Sequence, residues 1–399
     1  MKLVEANLPP SDSSKLGLCE QTFEEKIRIW KLNGKSWSGR LSVEEYLGRE
    51  EHLGNQDLTR DGSITYWLLT DLSKNPNERP ILSSCESLKK RVLVKQHDQG
   101  VEEVVSFGIM SVFCDPALRG RGYAARMMKE LGEKLDYRGQ KHERKTQFTI
   151  LYSDIGKTFY AKNGWEPYVS SHVSLPPVKQ PNGMKPLHCR PLYASDLAAL
   201  CGKDESMLKR SMHHARPPTG VAQVAIIPDK ATMSWHHARE DYVAQRVLGR
   251  TPKVRGALVR CLDGSRVWCF WSRFFGNEST EGNILNILRL VIEAEATEQS
   301  LPSAQAVGST SPSVNNQEHV EAMQAILQAA QLEAAQWNMG AVRMWNPSPL
   351  ILQAAKKLDS SSQLTHRQED SIASLRWHDD TTHPTDWIEW MANEKYAWC

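Results

Sequence analysis

The sequence predicts an α/β protein with a mixed (α+β) sheet, built as two related units. Three observations carry this. Runs of β-branched and aromatic residues alternate with stretches whose apolar residues fall on one helical face. A glycine-rich loop, Arg119-Gly120-Arg121-Gly122-Tyr123-Ala124, stands between a strand run and a helix run. The order strands, helix, strand, helix, strand of residues 90–175 recurs in the second half, without the loop. A length of 399 residues suits two such units. The predicted boundary lies near residue 195, giving units 1–195 and 196–399.

The elements follow in order. Thr22-Phe23-Glu24-Glu25 and Ser42-Val43-Glu44-Glu45 fit the capping box, in which a hydroxyl and an acid three residues on satisfy free N–H groups. Each opens a helix. Strands are expected at 64–70, 91–94 and 104–113, with 71–90 read as a surface insertion and 96–103 as a turn. From Gly122 to about Asp136 the period becomes helical, with Ala124, Met127, Met128, Leu131 and Leu135 on one face. A strand at 147–152 leads to a short helix that Asn163-Gly164 closes. Residues 176–186 read as a Pro-rich loop, and 196–213 as a helix.

The second unit reads as a strand at 221–227, a helix at 230–248, and strands at 254–262, 266–274 and 284–290. Residues 297–316, rich in Ser, Pro, Ala and Gln, read as a disordered loop. A helix at 317–337, a strand at 341–345, a helix at 349–358 and a strand at 371–377 complete it.

Composition narrows the function. The formal charge is +2 with acids and bases well mixed, which gives no support for a nucleic-acid partner. No apolar run reaches the ~20 residues needed to span a bilayer, and the first residues lack a signal core. Eight scattered cysteines with no Cys-x-x-Cys pair read as reduced thiols of a cytoplasmic protein. His213-His214 lacks companion ligands at useful spacing, so no metal site is expected. No motif specifies an oligomeric state. Nine of the 13 tryptophans follow residue 230, so the second unit is expected to lend aromatic walls to a ligand site.

The glycine loop is the chemical centre. Gly120 and Gly122 remove side chains, so backbone N–H groups can approach an anion. Those donors open a helix, where the macrodipole also favours negative charge. Arg119 and Arg121 can add charge-assisted bonds. A kinase-type loop would need Gly-Lys-Ser/Thr, and a dinucleotide fold a third glycine and a later acid; neither is present.

The run Ser111-Val112-Phe113-Cys114-Asp115-Pro116-Ala117-Leu118, continued by the loop, resembles motif A of the GNAT acetyltransferases. Asp154-Ile155-Gly156-Lys157-Thr158-Phe159-Tyr160-Ala161-Lys162-Asn163-Gly164-Trp165 is similar to their motif B. The resemblance implies a GNAT fold in the first unit, a degenerate GNAT-like second unit, and acetyl-coenzyme A as cofactor. It implies that backbone groups of Val112 and Cys114, with Phe113 between them, pair with the pantetheine arm, and that Arg119, Gly120, Arg121, Gly122, Tyr123 and Ala124 hold the pyrophosphate. Asp154, where many members carry Asn, and Lys157 are further coenzyme candidates. Tyr160 matches the tyrosine that protonates the leaving thiolate; its alternative is a packed aromatic.

No motif names the base. Glu102 and Glu103 are candidates from their place at the start of the coenzyme strand, and so is the C-terminal carboxylate of Cys399, since some tandem members thread their C-terminus into the first site. The ending Asn393-Glu394-Lys395-Tyr396-Ala397-Trp398-Cys399, with Trp235-His236-His237-Ala238-Arg239 and Trp345-Asn346-Pro347, resembles the fungal lysine acetyltransferase-like family. That likeness implies transfer to the ε-amine of free L-lysine, a step of lysine degradation. Trp235, His236, Arg239 and Glu394 are its substrate-binding candidates. A xenobiotic, toxin or polyamine is the alternative small-molecule acceptor; a protein N-acetyltransferase and a non-catalytic coenzyme-binding module are the other readings.

Overall fold

The computed structural model describes residues 8–96, 99–136, 146–180, 189–276, 282–293, 314–378 and 385–398. In chain order the elements are β1 (Leu16–Glu20), α1 (Phe23–Trp37), α2 (Val43–Gly54), β2 (Ile64–Asp71), β3 (Ser83–Lys95), β4 (Glu102–Phe113), α3 (Tyr123–Lys134), β5 (Phe148–Ser153), α4 (Thr158–Ala161), β6 (Glu166–Pro167), β7 (Ser171–Leu175) and β8 (Cys189–Leu192). There follow α5 (Leu197–His214), β9 (Ala222–Ile226), α6 (Lys230–Leu248), β10 (Gly256–Arg260), β11 (Arg266–Phe274), β12 (Ile284–Ile292), α7 (Val314–Gln336), β13 (Ala341–Trp345), α8 (Pro349–Leu358), β14 (Thr365–His366), β15 (Ile372–Trp377) and β16 (Ile388–Met391).

Both capping boxes form. Thr22 and Ser42 accept from the backbones of Glu25 and Glu45, whose carboxylates accept from the capping N–H groups in return. Glu25 does more than cap. It is fully buried and takes two bonds from Arg79, at 2.7 and 2.9 Å. Burial alone would raise its pKa, but the bonds from Arg79 and from the Thr22 and Asn77 backbones outweigh it and hold the carboxyl at about 2. A depressed carboxyl contributes stability that is present above its unfolded value and is lost as pH falls toward the folded one. Glu25→Gln is therefore expected to cost about 3 kcal/mol at pH 7. The deficit against wild type should shrink when urea midpoints are compared at pH 3.

Two mixed sheets organise the chain. The first runs β1-β2-β3-β4-β5-β15-β6, with β9 added to β3 and β16 to β9; the second runs β14-β7-β13-β12-β11-β10-β8. Each contains a parallel pair joined by a crossover helix, β4-α3-β5 in the first and β12-α7-β13 in the second; β9 and β16 make a further parallel pair in the first. This is the repeated plan expected from the order of elements. The predicted boundary at 195 does not separate the sheets, because strands are exchanged across it. β7 and β8, from before that point, pair with β13 and β10, while β9 and β15, from after it, pair with β3 and β5. One core cluster spans both sheets, with Val92, Phe148 and Ile150 from the first, Leu258, Trp268 and Leu288 from the second, and Leu197 and Tyr396.

The stretch read as an insertion at 71–90 holds the first half of β3, whose inward positions include Ser84 and Glu86 and so hide the apolar alternation. The expected loops at 176–186 and 297–316 fall largely outside the described residues.

Candidate functional site

β4 and β5 pair only from Phe107↔Thr149 to Ile109↔Leu151, although β4 runs on to Phe113 and β5 to Ser153. Beyond Ile109 the parallel strands diverge. The cause lies in β4. Between Glu86↔Met110 and Ser84↔Phe113, β3 advances two residues and β4 three. The extra residue makes a β-bulge, with Ser111 in the left-handed region at φ 52°. Bulges bend a strand and end pairing. The opening they create leaves Val112 and Cys114 without a partner strand on the β5 side, an edge that an extended ligand can join as an added strand.

The glycine loop lies at the end of this opening. Gly120 and Gly122 have φ of 78° and 83°, which L side chains rarely adopt. A Cβ on Gly120 would meet nothing within 4 Å. Gly122 caps α3 with no side-chain hydrogen bond, so the first-turn N–H groups have no side-chain acceptor there. Both glycines are exposed. Arg119 bonds the Cys114 carbonyl at 3.3 Å, Arg121 lies over the Tyr123 ring, and the buried Tyr123 hydroxyl donates to Pro9 O at 2.7 Å. These contacts shape the loop from outside. The residues present thus fit a pyrophosphate with a long extended arm.

Tyr160 lies on α4 in the core cluster that also takes Val112 and Cys114. Burial, with the nearby Cys85 and Asp154, raises its pKa, so the phenol stays protonated. Phe113 faces the other way, edge-on to Trp37 at 5.6 Å. Asp154 and Lys157 hold a neighbouring turn: Asp154 Oδ1 accepts from the Ser371 backbone at 2.9 Å, and Lys157 donates to Gln368 at 2.8 Å. Ala124 is half-buried in the first turn of α3.

On the opposite face of β3 and β4 lies a pocket lined by Trp30, Glu50, Leu53, Gly54, Thr59, Ile64, Tyr66, Glu86, Met110 and Trp235. Cys85 and Glu86 show the alternation: Cys85 packs in the cluster with Tyr160, while Glu86 faces the pocket. α6 closes it, crossing from the second sheet onto α2, where Tyr242 donates to Glu45 O at 3.0 Å. The indole N–H of Trp235 is buried and makes no hydrogen bond among the described residues, while that of Trp30 is near enough to Glu86 to favour its ionised form. An orphaned donor on a pocket wall is costly unless a ligand supplies an acceptor.

The substrate candidates separate. Trp235 is in the pocket wall. Arg239, one turn on, has no carboxylate ion-pair partner among the described residues and lies over the rings of Phe274 and Trp398, at 5.5 and 5.7 Å. Burial and then Arg49 lower its pKa to about 10, so it remains a cation at neutral pH. His236 is placed elsewhere: its Nε2–H donates to the Tyr396 carbonyl at 2.9 Å, and burial keeps it neutral, with a pKa of about 3. Glu394 is also committed, one oxygen to Arg289 and the other to the Leu290 N–H at 3.0 Å. Glu102 and Glu103 start β4, about 30 Å of strand from its loop end. Glu103 pairs with Arg91 and Lys209 at 2.8 and 2.9 Å. Cys399 lies outside the described residues. Glu50 and Glu86 escaped the sequence reading.

The second unit repeats the opening and fills it. β12 and β13 pair only from Ile284↔Ala341 to Ile287↔Met344, and β12 carries one extra residue, Leu288, against β11. Glu394 bonds Leu290 on β12, and the Asn393 carbonyl accepts from Asn346, just past β13, at 2.6 Å. The chain's own C-terminal segment thus binds both strands of the second opening. From there it runs to Trp398, stacked on His236 with ring centres 6.3 Å apart.

A family model described as the LYC1 GNAT-like C-terminal domain matches residues 172–399. An uncharacterized protein of Saccharomyces cerevisiae is 26% identical over 258 residues, 55% of this chain and 63% of that protein, so the match spans less than two thirds of that relative. A lysine acetyltransferase of Yarrowia lipolytica is 24% identical over 299 residues, 65% of this chain and 73% of that protein. Among solved structures, a GCN5-related N-acetyltransferase from Anabaena variabilis aligns over 91% of this chain and 73% of its own at 14% identity, TM-score 0.49. An N-myristoyltransferase of Saccharomyces cerevisiae with bound myristoyl-CoA aligns over 93% and 82% at 10% identity, TM-score 0.49.

Proposed function

The chain belongs to the LYC1-like GNAT family, and from that membership we propose that it is an acetyltransferase acting on the amine of a small molecule, with free L-lysine as the favoured acceptor. One observation carries the reading. The bulge at Ser111 opens the strand edge toward the glycine loop, and its hydroxyl bonds Glu86 in the wall of a pocket with two carboxyl groups and aromatic walls. Acetyl-coenzyme A supplies the acetyl group as a thioester. The first-turn N–H groups of α3 with Gly120 and Gly122 would hold its pyrophosphate, and the strand edge at Val112 and Cys114 its arm. Tyr160 keeps a proton at its hydroxyl for the leaving thiolate.

The pocket suits a cation. Glu50 provides negative charge, Glu86 a carboxyl that an arriving ammonium would ionise, and the faces of Trp30 and Tyr66 attract ammonium groups. The same two rings already take the Lys26 ammonium, at 4.9 and 4.7 Å. Arg239 and the orphaned Trp235 indole suit a carboxylate. A free amino acid with a side-chain amine satisfies both. All cysteines among the described residues are free thiols, which fits a cytoplasmic enzyme of lysine degradation. No helix among the described residues is long and apolar enough to cross a membrane.

The test compares thiol release with lysine, its decarboxylated counterpart cadaverine, longer polyamines and peptides. Lysine should exceed cadaverine by about 100-fold in kcat/KM, the worth of one good charge-assisted contact to the carboxylate. Equal rates would point to a polyamine or another plain amine, and the best turnover with peptides to a protein N-acetyltransferase. No release with any acceptor would leave a coenzyme-binding module.

A further inference from the structure

An acid on the buried face of a strand is expensive, and such groups are paired or serve chemistry. Glu86 is 5% exposed and sits at an inward position of β3. No lysine or arginine forms an ion pair with it among the described residues. Ser111 Oγ, from the bulge residue itself, donates to it at 3.2 Å. Several groups face or flank it: Lys26 and Trp30 of α1; Tyr46, Arg49 and Glu50 of α2; Tyr66 of β2; Cys85 of β3; Trp235 and Arg239 of α6. Arg49 is already bound to Glu50, at 2.5 and 2.9 Å. Glu86 is thus a carboxyl without its own cation, at the junction of coenzyme opening and pocket.

We infer that Glu86 is the base that takes the proton from the acceptor ammonium, an inference that rests on the acetyl-transfer reading. The ammonium gives one proton to a Glu86 oxygen. The freed lone pair forms the C–N bond as the C–S bond breaks, its electron pair leaving with sulfur. A second nitrogen-bound proton ends on sulfur by way of the Tyr160 hydroxyl, and the third stays on the amide. Glu86 then loses its proton to solvent. Glu50 adds negative charge that helps draw the cation in, and Ser111 is a positioning residue that orients the carboxyl.

The protonation state suits this task. Burial, then the Glu50 charge, push Glu86 up to about 8, against the Ser111 hydroxyl, the Trp30 indole and Lys26. Near neutral pH the free site is mostly protonated. An arriving ammonium favours the carboxylate, so binding expels a proton and readies the base.

Two readouts test the inference. First, kcat/KM for the amine should rise with pH through about 8. Glu86→Gln should lower it by about 100- to 1,000-fold and remove that limb. Ser111→Gly, which suits a φ of 52° and deletes the hydroxyl, should move the limb to higher pH. Second, calorimetry at pH 7 in buffers of differing ionisation enthalpy should show about one proton released per amine bound by wild type, and none by Glu86→Gln. Coenzyme affinity should stay within about twofold in Glu86→Gln, which alters neither the glycine loop nor the Val112–Cys114 edge. A limb and a proton release that persist in Glu86→Gln overturn the inference and hand the role to another carboxylate, that of Cys399 first. A wild-type chain that binds coenzyme yet acetylates no amine brings down the acetyl-transfer reading instead, and this step with it.

Discussion

Gly122→Glu should abolish coenzyme binding, read by calorimetry with free coenzyme A. Three effects act together. The backbone at 122 has φ 83°, so any Cβ costs about 1–2 kcal/mol. That Cβ would stand 2.6 Å from Ser11 Oγ, pushing back the N-terminal segment that braces α3 through Pro9 and Tyr123. The new carboxylate is itself favoured at a helix N-terminus, so it settles where the pyrophosphate should go. Losing two charge-assisted bonds of about 1.5–3 kcal/mol each predicts at least 100-fold weaker binding. Gly122→Ala separates strain from charge and should lose about tenfold. If Gly122→Glu stays folded and keeps wild-type affinity, the loop does not hold the pyrophosphate.

Much of this fold was legible because local signals agreed. The helices at 230–248 and 349–358 and the strands at 266–274 and 341–345 fall where periodicity and capping put them. The loop was legible because glycine at positive φ leaves a mark in sequence. Strand exchange was not, since no local feature of β7 or β15 states which sheet it will join; that depends on contacts made about 170–230 residues away. The first half of β3 was missed because Ser84 and Glu86 interrupt its apolar face. Those same residues flank the bulge and the pocket, so the local rule failed where function displaced packing. A lone acid two residues before Leu88, on the face that continues through Val92 and Val94, was the available signal. His236 and Trp235 are neighbours on one helix, and only the tertiary packing sends one to Tyr396 and the other to the pocket.

Glu394→Ala should act on stability before it acts on catalysis. The carboxylate closes a buried cluster in which Arg289 is held bidentately by Asp204, at 2.9 Å on both nitrogens, and again by Glu394. Its other oxygen satisfies the Leu290 N–H. Burial raises the Glu394 pKa and Arg289 opposes it, so the charge is tolerated only because the arginine is there. Alanine would leave a buried N–H unpaired and Arg289 with one partner, a cost of about 3 kcal/mol. It would also free the C-terminal segment from β12, loosening Tyr396 from His236 and Trp398 from Arg239. Glu394→Gln keeps an acceptor for Leu290 but loses the charge, and should cost about half as much. The first opening contains none of these residues, so coenzyme affinity should hold at temperatures where the variant is folded. The amine KM should rise a few-fold through Arg239 and Trp398. A variant with an unchanged urea midpoint and a KM raised 100-fold would place Glu394 against the substrate and assign the second opening to something other than the chain's own C-terminal segment.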